Sequence, residues 1–167
     1  MTAVDDVLER NRAYAAAFGH GDAPRSPNLP LVVLTCIDAR AQPARFLGLG
    51  VGDAHVVRNA GGRATDDAIR SIIVSTQLLG TRECMVIHHT DCGMGTFTNE
   101  EVRARLQAET GASADDIDFF PFTDLEASTR DDVRAIRANP LMPKDLDVSG
   151  WIYDVHTGRL NEVPVPD

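Results

Sequence analysis

Hydrophobic and polar positions along the chain fall into alternating blocks. Val4, Val7, Leu8, Ala15 and Phe18 trace a loose apolar face over residues 2–18, the spacing of an amphipathic helix. The Gly- and Pro-rich stretch 19–30 reads as a linker or wrapping arm. Leu31–Thr35 is then a continuous apolar run, as expected of a parallel strand buried on both faces. A short helix is predicted over 41–47, ended by Gly48 and Gly50, and Ala54–Arg58 reads as a second strand. Thr65–Asp66–Asp67 supplies a capping side chain and first-turn acids for a helix running to about Leu79, closed by Gly80. Cys84–His88 is a third strand. Thr98 and Glu101 have capping-box spacing and open the next helix, whereas residues 110–122 look irregular. A further helix spans 124–138 and is stopped by Asn139–Pro140. Trp151–Val155 reads as a last strand, placed to lie at a sheet edge and pair with a neighbour. A tight turn at His156–Gly158 and a return over Arg159–Val163 follow it.

Strand and helix alternate, which predicts an α/β fold: a single domain with a mainly parallel central β-sheet flanked by helices. The length of 167 residues suits one core, and neither an internal repeat nor a domain boundary interrupts it. Net charge is −9, with fifteen arginines against the single lysine Lys144. An acidic surface argues against general nucleic-acid binding, which needs a basic stripe. No apolar run has the length of a membrane span, and the first residues carry acids where a secretion signal carries basic residues and then an apolar stretch. Three cysteines lack the density of a disulfide-stapled domain. A cytoplasmic protein with reduced thiols is the expectation. The run Gly48-Leu-Gly-Val-Gly52 follows a helix rather than a strand and lacks the spacing of a dinucleotide-binding loop.

The candidate chemistry lies in Cys36-Ile-Asp38-Ala-Arg40 and His89-Thr-Asp-Cys92. Each segment directly follows a predicted strand, so both should meet at the carboxyl edge of the sheet, where open parallel sheets bind ligands. Two thiolates and one imidazole suit zinc, and three protein ligands leave a fourth position open, the mark of a catalytic rather than a structural site. Cys84, on the strand leading into the site, is out of step with it. A cysteine at a strand end is more often a small buried hydrophobe than a ligand. The ordered set of motifs, rather than any one residue, carries the inference.

Cys36-Ile-Asp38-Ala-Arg40, Arg58-Asn-Ala-Gly61 and His89-Thr-Asp-Cys92-Gly93 together resemble the signature of the β-class carbonic anhydrases, and the resemblance covers most of the chain. It implies one zinc ion per chain on Cys36, His89 and Cys92, and reversible hydration of carbon dioxide to bicarbonate. It also implies an Asp38–Arg40 dyad with two states. In the open state Arg40 pairs with Asp38, whose carboxylate accepts a hydrogen bond from the zinc-bound hydroxide. In the closed state Asp38 becomes the fourth ligand. The loop through Gly61 and the turn at Gly93 are candidate anion-binding positions, a glycine-bearing loop ahead of a helix being able to offer N–H groups. Gly62 and His88 depart from what the family often has at those places, and His88 is expected to pack on its neighbours. The side site for bicarbonate that some members build around a tryptophan before the first zinc cysteine is not expected, because valines stand there. A dimer or tetramer is implied, with residues 1–30 reaching across to a partner subunit. Two alternatives share the metal ligands: hydrolysis of carbon disulfide or carbonyl sulfide, and a zinc-binding protein without turnover. The intact Asp38–Arg40 pair argues against the second.

Overall fold

The computed structural model describes residues 2–166. Helix α1 (Ala3–Ala16) starts at Thr2, whose side chain forms a reciprocal capping box with Asp5. The sequence predicts an amphipathic helix here, yet no residue of α1 is buried. Its apolar side chains Val4, Val7, Leu8 and Tyr14 are all more than half exposed.

The core is a five-stranded sheet built from β1 (Leu31–Cys36), β2 (His55–Asn59), β3 (Glu83–His89), β4 (Asp147–Tyr153) and β5 (Leu160–Val163). Their order is β2-β1-β3-β4-β5. The first four are parallel and β5 closes a hairpin against β4, so the mainly parallel α/β sheet inferred from the sequence is present. Strand β1 is buried along nearly its whole length, which is why it reads as an uninterrupted apolar run rather than an alternating one. Between the strands lie α2 (Pro43–Phe46), α3 (Asp66–Leu78), α4 (Asn99–Thr110) and α5 (Leu125–Arg137). Val32, Leu34 and Val86 of the sheet pack with Ile72 of α3 and with Val133 and Ile136 of α5 to form the main apolar cluster.

Several boundaries differ from those read off the sequence. The helix expected over 41–47 is a single turn that begins at Pro43, because proline's fixed φ suits the first helical position. Thr65 is the N-cap of α3 but makes no capping hydrogen bond; its hydroxyl accepts one from Asn59 instead, at 3.3 Å. Strand β4 begins four residues before Trp151. Asp147, Ser149 and Gly150 have weak strand preference, and pairing with β3 imposes the conformation. Gly150 also lets α5 approach closely, since a Cβ there would stand 3.1–3.2 Å from methyl groups of Thr129 and Val133. Strand β4 is interior, and the sheet edges are β2 and β5, which corrects the edge position expected for Trp151–Val155.

The chain passes from β1 to β2 on one side and then crosses to β3 on the other. The reversal leaves a crevice at the carboxyl ends of β1 and β3, a topological switch point of the kind where open α/β sheets bind ligands.

Candidate metal centre

Cys36 is the last residue of β1 and His89 the last of β3, so adjacent parallel strands deliver both to the switch point. Cys92 follows β3 by three residues, after Asp91 turns the chain with φ +53°. The two sulfur atoms and the imidazole nitrogen all lie within 4.8 Å of one another, and all three residues are buried. Cys84 does not join them. It lies in the core opposite Val32 and Val148, where burial pushes its thiol up to about 12.

His89 Nδ1 stands 2.8 Å from the Thr90 carbonyl. That carbonyl can only accept, so Nδ1 carries the proton and Nε2 is left as a lone-pair donor. Nε2 is buried and, among the described residues, has no hydrogen-bond partner in the protein. A buried imidazole nitrogen without a partner is costly, and a cation held jointly with the two sulfurs removes the penalty. Thr90 is itself pinned by β4: its N–H donates to Tyr153 O at 3.0 Å and its hydroxyl accepts from Val155 N at 3.1 Å.

The electrostatics point to the same occupant. The neighbouring Cys92 thiol holds Cys36 well below the usual thiol range, aided by His89 and by the backbone at Asp38 and Gly61. The Cys36 thiolate in turn pushes Cys92 well up. Two sulfurs this close resist joint ionisation unless a cation stands between them. Burial works against protonation of His89, but the adjacent Cys36 thiolate, the Thr90 carbonyl and the charge of Asp38 outweigh it and raise the imidazole above its usual range. A locus whose negative charge favours a proton on Nε2 favours a metal cation for the same reason. The donor set fits zinc.

Asp38 Oδ2 lies 3.8 Å from His89 Nε2, so its carboxylate faces the metal locus. Arg40 grips it through both oxygens, Nε to Oδ1 at 3.0 Å and Nη2 to Oδ2 at 2.7 Å, with the Arg40 backbone N–H on Oδ1 at 2.8 Å. These hydrogen bonds hold Asp38 far below the usual carboxylate range. Arg40 also donates to the carboxylate and the carbonyl of Asp91, at 2.7 and 2.9 Å. The motif His89-Thr-Asp-Cys92 contains Asp91 but gives no sign of this contact.

The remaining residues singled out in the sequence divide. Gly61 is buried beside Cys36, with φ +83°. Gly93 opens a short 3-10 turn directly after Cys92. Gly62 has φ +71°, and a Cβ on it would stand 2.9 Å from the Thr35 carbonyl carbon. His88 is packed, as expected: it is 1% exposed and stacks on Phe122. Its Nε2 lies 3.0 Å from Asp132 Oδ2. Asp132 also accepts from Arg63 Nε at 2.7 Å and from Ala64 N at 3.0 Å, tethering the Asn59–Ala64 loop to α5. Sequence reasoning missed Asp132. The available signal is its place on the α5 face that carries Ser128, Thr129, Val133 and Ile136, all buried.

Comparison with known proteins agrees with this geometry. The family model described as carbonic anhydrase matches residues 31–160. Beta-carbonic anhydrase 1 of Mycobacterium tuberculosis is 43% identical over 165 residues, covering 98% of this chain and 99% of the relative. The crystal structure of carbonic anhydrase from Streptococcus mutans superposes with a TM-score of 0.94 at 48% identity, covering 98% of this chain and 99% of that one. A carbon disulfide hydrolase of Acidianus sp. is 37% identical over 183 residues, covering 95% of this chain and 88% of the relative. With its zinc-fitting Cys-His-Cys cluster at the sheet's switch point, the chain belongs to the β-class carbonic anhydrase family.

Proposed function

We propose that this chain catalyses the reversible hydration of carbon dioxide to bicarbonate and a proton, with zinc on Cys36, His89 and Cys92 and an Asp38–Arg40 dyad beside it. The observation that carries the reading is the Asp38 carboxylate, gripped at both oxygens by Arg40 and set 3.8 Å from the unpartnered His89 Nε2. Zinc, when bound, lowers the pKa of a coordinated water towards neutrality and so supplies a nucleophile at physiological pH.

Asp38 orients that nucleophile. Held ionised by Arg40, it can only accept, so it takes the nucleophile's O–H hydrogen bond and leaves a lone pair turned to the carbon of the substrate. The bidentate guanidinium fixes the direction of the carboxylate as well as its charge. While Arg40 holds Asp38, the carboxylate would be kept from ligating the metal. Release of Asp38 from Arg40 would let it take the fourth ligand position and stop turnover. Gly61 and Gly93 border the cluster, and we place them on the rim that receives the anion.

The unburied α1 supports a homo-oligomer, a dimer or tetramer. A 14-residue helix with its apolar side chains in water is marginal by itself, and docking on a second copy would stabilise it. We assign residues 1–30 to that role within one domain spanning 1–167. No helix among the described residues is long and apolar enough to cross a membrane, and three free cysteines suit the reducing cytoplasm, where we place the protein. The relatives named as carbon disulfide hydrolases make that substrate the second reading, on the same residues.

Stopped-flow hydration of carbon dioxide between about pH 6.5 and 9, with zinc determined on the same sample, tests the proposal. Activity with one zinc per chain is expected, and Asp38→Ala should keep zinc while losing most activity. Zinc-loaded protein that leaves carbon dioxide untouched and hydrolyses carbon disulfide would transfer the assignment to the second reading.

A further inference from the structure

The Arg58-Asn-Ala-Gly61 motif contains an arginine to which neither the metal ligands nor the dyad gives a role. Arg58 lies on β2, in register with Thr35 of β1, one residue short of the first ligand. Its side chain turns over the Ile37–Gln42 loop that joins β1 to α2. Nε donates to Cys36 O at 2.9 Å, and Nη2 donates to Asp38 O at 2.8 Å and to Ala41 O at 3.0 Å. Nη1 lies 3.4 Å from the Gln42 side-chain oxygen. Among the described residues Arg58 makes no ion pair. In a chain with 25 acidic residues, a guanidinium whose donors go to carbonyls instead of carboxylates is placed for geometry.

We infer that Arg58 is a positioning residue for hydration: it clamps the Cys36, Asp38 and Ala41 carbonyls and thereby fixes the Cys36 sulfur and the Asp38 carboxylate relative to the metal. This inference rests on the function proposed above. The clamped loop directly follows the first thiolate ligand and carries both members of the dyad, yet it is neither helix nor strand. Its carbonyls therefore have few regular partners, and Asp38 O is otherwise met by the Ala41 N–H at 3.0 Å. The planar fork spans carbonyls from residue 36 to residue 41 in one fixed arrangement. A lysine ammonium, a point charge on a flexible stem, cannot reproduce that span. Displacement of a catalytic group by about 1 Å costs on the order of 100-fold in rate, so a loop held this way has kinetic consequences without touching substrate.

The test compares wild type, Arg58→Lys and Arg58→Ala in the zinc-loaded, full-length protein. Both variants are expected to lower kcat by roughly 10–100-fold, with KM changed much less because Arg58 does not line the reacting atoms. Both should also release zinc faster to a colorimetric chelator, a readout independent of turnover. Millimolar methylguanidinium should restore part of kcat to Arg58→Ala, whereas methylammonium at equal ionic strength should not. If Arg58→Ala does not fold, Arg58→Lys carries the test by its kcat and zinc-release rate. Wild-type kcat and zinc release in the folded variants would overturn the clamp and leave the Asp38–Arg40 assignment standing. Failure of that assignment would appear separately, as full hydration activity in Asp38→Ala.

Discussion

Replacing Gly62 with alanine tests how closely the Asn59–Ala64 loop is fitted against β1. Gly62 has φ +71°, and its Cβ would stand 2.9 Å from Thr35 C, 3.0 Å from Cys36 N and 3.1 Å from Thr35 Cα. These neighbours are backbone atoms of a central strand hydrogen-bonded on both sides, so they cannot swing away as a side chain would. Two costs add. A left-handed backbone costs an L-residue about 1–2 kcal/mol, and forcing a methyl group into a packed site costs about 1–3 kcal/mol more. Gly80 isolates the first cost: it has φ +83° with nothing within 4 Å of its Cβ position. Gly62→Ala should therefore melt below Gly80→Ala by about 2–12 °C, taking roughly 2–4 °C per kcal/mol for a chain of this size. Because the push falls on Thr35 and Cys36, Gly62→Ala should also release zinc faster than Gly80→Ala. Thermal melts and chelator competition on the two variants, prepared identically, measure both effects. Equal melting temperatures and equal zinc release would refute the argument that the loop's approach to β1 is rigid.

Three further outcomes follow from other contacts. Burial of Asp132 opposes its ionisation, but the His88 hydrogen bond, the Arg63 charge and the Ala64 N–H outweigh it and hold the carboxyl below its usual range. Its contribution to stability is thus present above the ordinary carboxylate pKa of about 3.9 and is lost as pH falls through the lower folded value. Asp132→Asn should cost about 3–5 kcal/mol in denaturant unfolding at neutral pH, and the gap from wild type should narrow in acid. Arg40 and Asp91 are 47% and 63% exposed, so Asp91→Gly, which keeps the positive φ, should lower kcat only about 1.5–5-fold. In an Arg40→Ala background the same change should have no effect, as a double-mutant cycle would reveal. Chelation should lower the melting temperature of wild type, since a metal bound to the folded state stabilises it. Cys36→Ala should be purified without zinc and should be indifferent to the chelator.

Much of the centre is legible along the chain because its parts are local. Leu31–Thr35 and Cys84–His88 announce strands by apolar run alone, and a residue that directly ends a parallel strand is committed to the carboxyl edge of the sheet. That is enough to bring Cys36, His89 and Cys92 together from the sequence, and the resemblance of Cys36-Ile-Asp38-Ala-Arg40 to the family signature implies the Asp38–Arg40 pair that the fold then forms. Thr98 and Glu101 form the capping box their spacing implies, because a cap needs partners only three residues apart.

What the sequence leaves open depends on partners far along the chain. Asp132 sits beside Asp131 in a polar-looking helix, and its burial follows from His88 and Arg63, 44 and 69 residues away. Thr65 has the residue type of a cap, but Asn59 competes for its hydroxyl across a turn that local rules do not describe. Strand β4 extends back to Asp147 against its own propensities because β3 offers a ladder to complete. Gly62 differs from an ordinary turn glycine only through the strand behind it, and Arg58 from a surface arginine only through the loop beneath it. Residue types and short spacings determine which chemistry the chain can carry. Packing of distant segments decides which groups are clamped, buried or left with a lone pair facing the metal, because those properties belong to neighbours in space.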